Sequence, residues 1–387
     1  MTRFHCSSFK KAMLYCLPAV CLIHAAQSAE ISGPSDKSIQ WKKHVLNAES
    51  KFEAAGIGDV NGDGKIDIMC GDSWYEAPNW IKHRVCDIHE QNQYYDDFAN
   101  LMQDVDGDGD LDVVSANYFG QEVLWRENPG KTGIDWTVHS IDKPGNSETA
   151  YFFDMNGDGV MDILPNVAQI YVWYEKIPNK PTWKKHVVGK EGAGHGGGVG
   201  DVNGDGLLDF IGPKGWYETS KTDDQFTYTW HPEFTLELPS VPMLIQDVNG
   251  DGLNDIIYGM GHNYGIYWLE QQKNKEARTW TPHLIEKTWS QPHALFLVDL
   301  DGNGKLELVT GKRYHAHNGH DPGGNDPRCI YYYKYDKQAD VWQRHVVEEN
   351  GSAGFGLMPE IGDVDNDGDL DIVCPGKSGL YLFEQVR

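Results

Sequence analysis

The sequence predicts an all-β fold, a closed seven-bladed β-propeller. Three observations lead to this prediction. An Asp-rich stretch recurs seven times, short runs rich in Val, Ile, Tyr and Trp separate the copies, and the two ends of the chain carry complementary parts of one repeat. A repeat of about 46 residues that holds about four short strands has the size of a propeller blade.

The Asp-rich stretch has the form seen in its first copy, DVNGDGKID. The copies begin 45, 50, 47, 46, 52 and 64 residues apart. An apolar run, an aromatic run and, in most copies, a Trp-x-x-His segment follow each one. These runs are four to six residues long and are bounded by turn residues, so they are predicted to be strands. Helical calcium-binding pairs need amphipathic flanks of about ten residues or more, which are absent.

The chain ends are predicted to close the ring. The last aromatic run, GLYLFEQ, has no Trp-x-x-His segment after it, and the missing segment lies near the start of the chain, in WKKHVL. An N-terminal strand that completes the last blade would lock a ring, whereas a linear array would gain nothing from it. Residues 30–387 are therefore predicted to form one propeller, with the Asp loops between strands a and b of each blade.

Residues 1–29 have the features of a secretory signal. Arg3, Lys10 and Lys11 precede the apolar run 12–23, and small residues follow it. The protein is expected to be secreted or periplasmic, because the apolar run is too short for a membrane span. Cleavage would change the formal net charge from −25 to −28, since the signal carries three basic residues and no acids. Such a chain is not expected to bind nucleic acid, and it is expected to be a monomer.

The Asp loops are predicted to bind structural Ca²⁺, which prefers six to eight oxygen ligands. Residues 1, 3, 5 and 9 of each loop would supply side-chain oxygens, and the glycine at residue 6 would allow the sharp bend. A plain Asx-rich turn without metal is the alternative. The predicted ligands are Asp59, Asn61, Asp63, Asp67, Asp104, Asp106, Asp108, Asp112, Asp154, Asn156, Asp158, Asp162, Asp201, Asn203, Asp205, Asp209, Asp247, Asn249, Asp251, Asp255, Asp299, Asp301, Asn303, Glu307, Asp363, Asp365, Asp367 and Asp371.

Cysteine spacing leaves two possibilities open. Cys70, Cys86, Cys329 and Cys374 lie beyond the signal. An exported protein can form disulfides, but spacing cannot fix a pairing, and buried free thiols fit the sequence equally well.

At these loops the chain resembles the FG-GAP or VCBS-type repeat propellers, over nearly all of residues 30–387. That group includes adhesion modules and carbohydrate-active enzymes, among them the propeller part of aldos-2-ulose dehydratase and seven-bladed polysaccharide lyases. The resemblance implies the fold and, at most, a saccharide partner. It assigns no catalytic residue here, because only the calcium loops align.

Histidines outside the repeat are expected to gather on one face. With the Asp loops between strands a and b, the b–c and d–a connections share the opposite face of the ring, here called the top. His44, His83, His139, His186, His283 and His345 recur in strand d and are expected to be scaffold, whereas the fourth blade, with Trp230-His231-Pro232, is expected to lack this histidine. The residues expected to form a top-face catalytic site are His195, His293, His315, His317, His320, Tyr94, Tyr95, Lys312 and Arg313.

The step of 64 residues before the last Asp loop marks an insertion with three histidines, GKRYHAHNGHDPGGNDP. It is either a surface Ω-loop or a loop that bends over the channel mouth and helps to bind a transition metal. His195 stands among glycines, which either admit a ligand or serve close packing.

Two functions fit these features. The first is a carbon–oxygen lyase that eliminates or dehydrates a uronate or keto-sugar, with an oligosaccharide or polysaccharide as substrate. The alternative is a calcium-stabilised propeller that binds a glycan or a protein without turning it over. Six histidines outside the repeat favour the enzyme, namely the five in this catalytic set and His262, which lies in the b–c segment GMGHNYG.

Overall fold

The computed structural model describes residues 39–178, 180–223, 225–273 and 277–386. The predicted signal, residues 1–29, lies outside these ranges. Within them the regular structure is β apart from one 3-10 turn, Ala316–Gly319. No helix in the described ranges is long and apolar enough to cross a membrane.

Seven four-stranded antiparallel sheets form the blades. Strand β1 (Gln40–Asn47) comes first along the chain. Blade one contains β2 (Gly56–Gly58), β3 (Asp67–Cys70), β4 (Ser73–Glu76) and β5 (Ile81–Arg84), and a separate hairpin of β6 (Glu90–Gln91) and β7 (Tyr94–Tyr95) follows. Blade two contains β8 (Leu101–Gln103), β9 (Asp112–Ala116), β10 (Val123–Glu127) and β11 (Thr137–Asp142). Blade three contains β12 (Ser147–Phe153), β13 (Asp162–Val167), β14 (Tyr171–Lys176) and β15 (Trp183–Gly189).

The remaining blades repeat this order. Blade four contains β16 (Gly198–Gly200), β17 (Asp209–Gly212), β18 (Gly215–Thr222) and β19 (Gln225–His231). Blade five contains β20 (Leu244–Gln246), β21 (Asp255–Gly259), β22 (Tyr264–Lys273) and β23 (Arg278–Ser290). Blade six contains β24 (Pro292–Val298), β25 (Glu307–Lys312), β26 (Cys329–Asp336) and β27 (Val341–Glu349). Blade seven contains β28 (Glu360–Gly362), β29 (Asp371–Cys374) and β30 (Leu380–Val386).

The sheet of blade seven has the strand order β1-β30-β29-β28, so β1 is its outer strand. The pairing is antiparallel and runs from Gln40 opposite Val386 to Asn47 opposite Leu380. The first and last described strands therefore share one sheet. In every blade the Asp loop connects the first strand to the second, as the sequence predicts.

The hydrophobic core consists of seven separate layers, one between each pair of neighbouring blades. The layer between blades seven and one joins Val373 and Leu382 to Ile68 and Tyr75, all buried. Because this layer is as apolar as the other six, the stabilisation gained from burial continues around the whole ring.

The strand-d histidines are scaffold, as predicted. The His83 ring stacks on Trp74 of the neighbouring strand, with centroids 4.3 Å apart, and its Nε2 lies 2.7 Å from a Glu76 oxygen. Equivalent stacks occur in blades two to five, and the equivalent Glu contact also occurs in blade seven. Trp74, Trp216 and Trp268 are buried in these stacks, so they cannot bind a sugar ring.

The expectation that blade four lacks this histidine is wrong. His231 pairs with Trp216 in the same register as His83 with Trp74. The two rings stack at 4.5 Å, and His231 Nε2 lies 2.8 Å from a Glu218 oxygen. Tyr228 lies three residues before His231, where the other blades have Trp. The segment therefore does not match the Trp-x-x-His pattern in the sequence.

The Asp loops are tight turns stabilised by their own carboxylates. In the first loop the backbone N–H groups of Asp63 and Gly64 donate to Asp59, at 3.0 and 2.8 Å. Gly64 has a φ of +87°, and each other loop also has a positive-φ glycine at its sixth residue. In three loops, three acidic side chains place oxygens within 4.8 Å of one another, namely Asp104, Asp106 and Asp108; Asp299, Asp301 and Glu307; and Asp363, Asp365 and Asp371. These oxygen sets fit Ca²⁺, and its binding stays a prediction.

The ninth loop residue has a second role that sequence reasoning missed. Asp67 is fully buried and accepts hydrogen bonds from the backbone N–H groups of Val60 and Ala77, at 3.0 and 2.9 Å. In the other loops the ninth residue likewise accepts one backbone N–H from the loop and one from the end of the third strand. For Glu307 the described residues provide only the N–H from the loop, that of Leu300. An acid is therefore needed at this position for the turn itself.

The four cysteines of the described chain, Cys70, Cys86, Cys329 and Cys374, are free and buried. Burial raises the pKa of the Cys329 thiol to about 12, so this thiol is inert at neutral pH.

Burial of the ninth acids makes stability depend on pH. Without a cation, burial raises the pKa to about 6 for Asp67 and Asp255, and to about 7 in the other five loops. The unfolded value is near 4, so the folded state is favoured by protonation, and this stability is lost as the pH rises from about 4 to about 7. We therefore expect a higher melting temperature at pH 5 than at pH 7.5 in chelator, measured by calorimetry.

Calcium is the control for this prediction. Added Ca²⁺ should raise the melting temperature at pH 7.5 more than at pH 5, because it neutralises carboxylates that protons neutralise at the lower pH. His262 and His293, whose lowered pKa values act in the opposite direction, are outnumbered by the seven acids. Equal melting temperatures at the two pH values in chelator would contradict the prediction.

Candidate metal centre

One position recurs in every blade at the top of the inner strand, six residues before the first Asp of the loop. The seven residues at this position are Glu53, Phe98, Glu148, His195, Val241, His293 and Leu357. Because equivalent positions of a closed ring surround one axis, these residues border the top of the channel. Four of them are ionisable and three are apolar.

Three histidines and one glutamate form what we call the histidine cluster, Glu148, His195, His262 and His293. Their donor atoms all lie within 4.8 Å of one another. His195 Nε2 lies 2.8 Å from His262 Nε2 and 3.3 Å from His293 Nε2. Glu148 Oε2 lies 2.9 Å from His195 Nε2, and Glu148 Oε1 lies 3.3 Å from His293 Nε2.

These distances fit a bound divalent metal. Metal–nitrogen bonds of about 2.0 to 2.1 Å place neighbouring ligand atoms about 3.0 to 3.4 Å apart, close to the spacing in the cluster. Within the described chain, Nδ1 of His195 and of His293 has no hydrogen-bond partner, so all polar contacts of both rings are made through Nε2. Three imidazoles whose Nε2 atoms converge on one point have the arrangement of a set of metal ligands.

The charge states also suit a metal. Burial, together with the nearby His195, lowers the pKa of His262 to about 3. Burial and the nearby Arg313 lower the pKa of His293 to about 4. Burial alone would raise the pKa of Glu148, but His195 and His293 outweigh it and hold this pKa well below 4.5. Near pH 7 the cluster thus offers two neutral imidazoles and a carboxylate, the forms that bind metal.

Glycines bring the histidines together. A Cβ on Gly261 would lie 3.2 Å from both the His195 and the His293 rings, so the residue before His262 is small where these rings approach. Around His195 itself, a Cβ on Gly196, Gly197 or Gly198 would meet Pro239, Asn166 or Met243. The glycines beside His195 therefore allow close packing of the chain.

Arg313 connects two carboxylates across the channel. It is 2% exposed, and it donates from Nε to Glu53 at 3.0 Å and from Nη1 to Glu148 at 3.0 Å. These contacts join the start of blade six's b–c connection to the inner strands of blades one and three. Arg313 thus balances the charge behind the histidine cluster and contacts Glu148 on the side away from His195.

The blade-six insertion, residues 313–328, bends over the channel mouth. The backbone N–H of His317 donates to the Tyr94 hydroxyl at 2.6 Å, and Asn318 donates to the backbone oxygen of Asn92 at 3.2 Å. Lys377 of blade seven donates to Asn318 Oδ1 at 3.0 Å. The insertion therefore spans from blade six to the segment before blade two, and its part in binding a metal stays a prediction.

Asp321 links the insertion to the histidine cluster. Its two oxygens lie 2.8 Å from His262 Nδ1 and 2.9 Å from His317 Nδ1. The His262 and His317 rings are stacked, with centroids 4.4 Å apart and planes at 7°. The His317 side chain is 57% exposed, so it faces the mouth.

A second group of side chains at the mouth, here called the aromatic wall, consists of four aromatic residues and one leucine. They are Tyr94, Phe98, Tyr118, Phe119 and Leu357. The Tyr94 ring centroid lies 6.3 Å from those of Phe98 and Phe119. Tyr118 and Phe119 are half-exposed.

Two acids near this wall serve the structure. Asp96 accepts hydrogen bonds from the backbone N–H groups of Tyr118, Phe119 and Gly120, at 2.7, 3.0 and 2.6 Å, and so fixes the tip of the wall. Asp97 forms a buried ion pair with Arg126.

The structure brings some of the expected catalytic residues together and separates others. His195 and His293 lie in the cluster, and His317, Tyr94 and Arg313 lie beside it.

Other expected residues lie away from the cluster. His315 is held inside the insertion by Asn325, at 3.1 Å, and His320 is exposed. Tyr95 packs on Phe52, with centroids 4.6 Å apart, at a separate cavity of about 620 Å³.

Lys312 serves the structure rather than the mouth. It is fully buried and donates to Ser290, Gln291 and Gly323, at 2.6, 3.0 and 2.6 Å for the shortest bond to each. Burial lowers its pKa to about 8. Its ammonium group holds the base of the insertion against blade five.

Sequence reasoning missed Glu53 and Glu148 and gave no role to His262. The signal for the two glutamates is present in the repeat, because they occupy the same position as His195 and His293. Aligning the seven copies on their Asp loops shows a polar group at that position in four blades. For His262 only its place in a b–c connection was available, and its role depends on how the insertion folds.

The comparisons with known proteins agree with this architecture. A family profile described as an FG-GAP-like repeat matches residues 104–164 and 247–310. The protein is a seven-bladed β-propeller that carries FG-GAP-like repeats at these residues. No curated protein sequence matches the chain.

Among solved structures, the chain is similar to an Agrocybe aegerita lectin that specifically recognises non-reducing terminal N-acetylglucosamine. The identity is 18% over 87% of this chain and 86% of that chain, with a TM-score of 0.48. It is also similar to a Photorhabdus luminescens Tc holotoxin pore, at 15% identity over 89% of this chain but 15% of that chain, with a TM-score of 0.36. At such values neither likeness assigns a ligand to this protein.

Replacing the arginine at the axis should destabilise the protein. Arg313→Met leaves Glu53 and Glu148 without their shared cation, and loss of one partner from a buried ion network costs about 3 to 5 kcal/mol. We expect this loss in the free energy of unfolding, measured by denaturant titration. The matched control is Arg344→Met, because Arg344 is 38% exposed in its pair with Glu286, and such a pair contributes about 1 kcal/mol or less. Equal losses in the two variants would contradict the assignment.

Proposed function

We propose that the protein is a saccharide-binding propeller whose top face binds its ligand through a divalent transition metal in the histidine cluster. The observation that carries this proposal is the convergence of three Nε2 atoms and one carboxylate within 4.8 Å at the channel mouth. This donor set suits Zn²⁺, Co²⁺, Ni²⁺ or Mn²⁺ better than Ca²⁺, which prefers oxygen. A metal held there by four protein ligands keeps coordination positions for ligand oxygens when it is five- or six-coordinate.

The rest of the mouth supports a saccharide as the ligand. Half-exposed Tyr118 and Phe119 offer ring faces, which pack well against the C–H face of a sugar. The Lys377 ammonium, 3.3 Å from the Tyr94 ring centroid, adds a positive charge at the same wall. A metal, a cation and fixed aromatic rings together favour a saccharide that carries a carboxylate, such as a uronate.

Metal and ligand binding should fail together in a cluster variant. We expect the wild-type protein, loaded with Zn²⁺ in excess calcium, to retain at least one zinc per chain after gel filtration, measured by mass spectrometry. His293→Ala should lose one equivalent, since it removes a ligand with no other polar role. His89→Ala, at an exposed histidine outside the histidine cluster, is the control.

Calorimetry with uronate oligosaccharides, and with neutral cello-oligosaccharides for comparison, completes the test. Metal-loaded wild type should bind a uronate oligosaccharide at least tenfold more tightly than either His293→Ala or metal-free wild type. Equal binding with and without metal would overturn the role of the metal. If no uronate in a panel of galacturonate, mannuronate and glucuronate oligomers binds, the saccharide assignment is wrong even where zinc is retained.

A second candidate function, carbon–oxygen lyase activity on the same ligand, is favoured by one observation. Burial lowers the pKa of Lys377 to about 8, which is the range of a lysine that serves as a general base. Its described contacts are the Asn318 amide oxygen and the Tyr94 ring, and the nearby Glu53 carboxylate offsets only part of the effect of burial on its pKa.

The neighbouring groups can take the other roles in an elimination. A bound metal would stabilise negative charge on the ligand. The neutral Lys377 amine would accept the proton beside the ligand carboxylate. Tyr94, whose pKa burial raises to about 12, keeps its hydroxyl proton at neutral pH. Its oxygen already accepts the His317 N–H, so the hydroxyl proton remains available for the departing sugar oxygen.

Lyase activity should depend on pH through Lys377. Only the neutral amine accepts a proton, so the rate should rise as the pH increases through about 8, measured as new ultraviolet absorbance from the unsaturated sugar. Lys377→Met should lower the rate at least about 100-fold. Zinc content should stay unchanged in this variant, and Lys190→Met, at a lysine of the top face outside the mouth, should have no effect. A rate that falls with pH, or a fully active Lys377→Met protein, would rule out this role.

Two further proposals concern the whole chain. We propose that the seven Asp loops bind structural calcium and that residues 1–29 direct export to the periplasm or the medium. N-terminal sequencing of the protein from its own cells tests the second proposal, and a chain that still begins at Met1 would contradict it.

A further inference from the structure

His262 faces two groups of metal ligands at once. Its Nε2 belongs to the histidine cluster, 2.8 Å from His195 Nε2. Its Nδ1 lies 2.8 Å from an Asp321 oxygen. His262, His317 and Asp321 in turn place one donor atom each within 4.8 Å of one another. The same imidazole is therefore shared by two sets of donor atoms, one on each side of the ring.

We propose that His262, His317 and Asp321 form a second divalent metal site, connected to the first through the His262 imidazole. This proposal rests on the proposed function, because it adds a second ion beside the first. The new site would lie on the outer side of His262, toward the mouth, whereas the first lies on the side of the channel axis.

The local geometry supports a second ion. The Asp321 oxygens lie 2.8 and 2.9 Å from the two Nδ1 atoms, near the separation of about 3 Å between adjacent ligands of an octahedral metal. The stacked rings of His262 and His317 present their Nδ1 atoms to the same carboxylate. With three protein ligands, such a metal keeps coordination positions for water or for ligand oxygens.

The backbone around His317 is also held in an unusual shape. His315, His317 and Asn318 have φ values of +60°, +45° and +55°, and none is glycine. Left-handed residues of this kind are strained, and strained residues cluster at ligand sites. The turn places His317 over His262, and Tyr94 fixes its backbone N–H.

Occupancy of both sites would require one proton to leave. A neutral imidazole has one N–H group, so binding metals through Nδ1 and Nε2 releases that proton to solvent and leaves an imidazolate. Two metal–nitrogen bonds of about 2.0 to 2.1 Å on opposite sides of the ring place the ions about 6 Å apart. A pair at this spacing suits a saccharide whose carboxylate and hydroxyl oxygens bind different ions.

Metal stoichiometry of the full chain tests the proposal. Metal-free protein in excess calcium would be titrated with Cu²⁺, followed by mass spectrometry after gel filtration and by electron paramagnetic resonance. We expect two equivalents in wild type, with the second Cu²⁺ weakening the signal of the first through magnetic coupling, and one proton released with the second equivalent. His317→Ala should retain one equivalent with an uncoupled signal. His320→Ala, at an exposed histidine in the same loop, should retain two.

The alternative is that Asp321 only orients His262 and His317 by hydrogen bonds. In that case wild type binds one equivalent, and His317→Ala also binds one, which overturns the second site while leaving the proposed function intact. Two equivalents in both wild type and His317→Ala would also overturn it. No copper in wild type would overturn the proposed function itself, and the second site with it.

Discussion

Closure of the ring is the constraint on which the rest of this structure depends. It brings the starts of seven inner strands around one axis, so side chains far apart in the sequence must share one small space. Two of the seven are carboxylates, the buried Glu53 and the half-buried Glu148, which repel each other unless a cation lies between them. Arg313 supplies that charge. It lies 165 residues from Glu148 in the sequence, so no local motif encodes this contact.

Charge balance at the axis also explains why one side of the mouth is polar and the other side is apolar. Glu148 contacts Arg313 through one oxygen and His195 through the other. The arginine therefore leaves one carboxylate oxygen free to face His195, whereas the oxygen that it binds also lies 3.3 Å from His293 Nε2. On the apolar side of the ring, Phe98 and Leu357 occupy the equivalent positions and support the aromatic wall. The same backbone position thus supplies donor atoms of the histidine cluster on one side and a packing surface on the other.

Much of the fold could be predicted because each blade repeats the same local signals. The Asp loop, the apolar runs and the Trp-x-x-His segment recur, so an error in one copy is corrected by the others. Blade four shows the limit of pattern matching, since His231 keeps its register although Tyr228 replaces the usual tryptophan. The burial of Asp67 shows another limit, because an acid can be required by backbone hydrogen bonds as well as by a cation.

The site was harder to predict because it combines repeat positions with an irregular loop. His195 and His293 lie at a repeat position, so their meeting follows from ring closure. His315, His317 and His320 lie within six residues of one another, yet only His317 contacts the histidine cluster. Left-handed turns and the contact with Tyr94 decide this, and hydrophobic periodicity does not report either.

Anomalous X-ray scattering from crystals of zinc-loaded protein tests the central claim most directly. Data collected above and below the zinc absorption edge should show a peak at bonding distance, about 2.0 to 2.2 Å, from Nε2 of His195, His262 and His293 and from Glu148. A map with no peak at the channel mouth, or with zinc only at the Asp loops, would contradict the account.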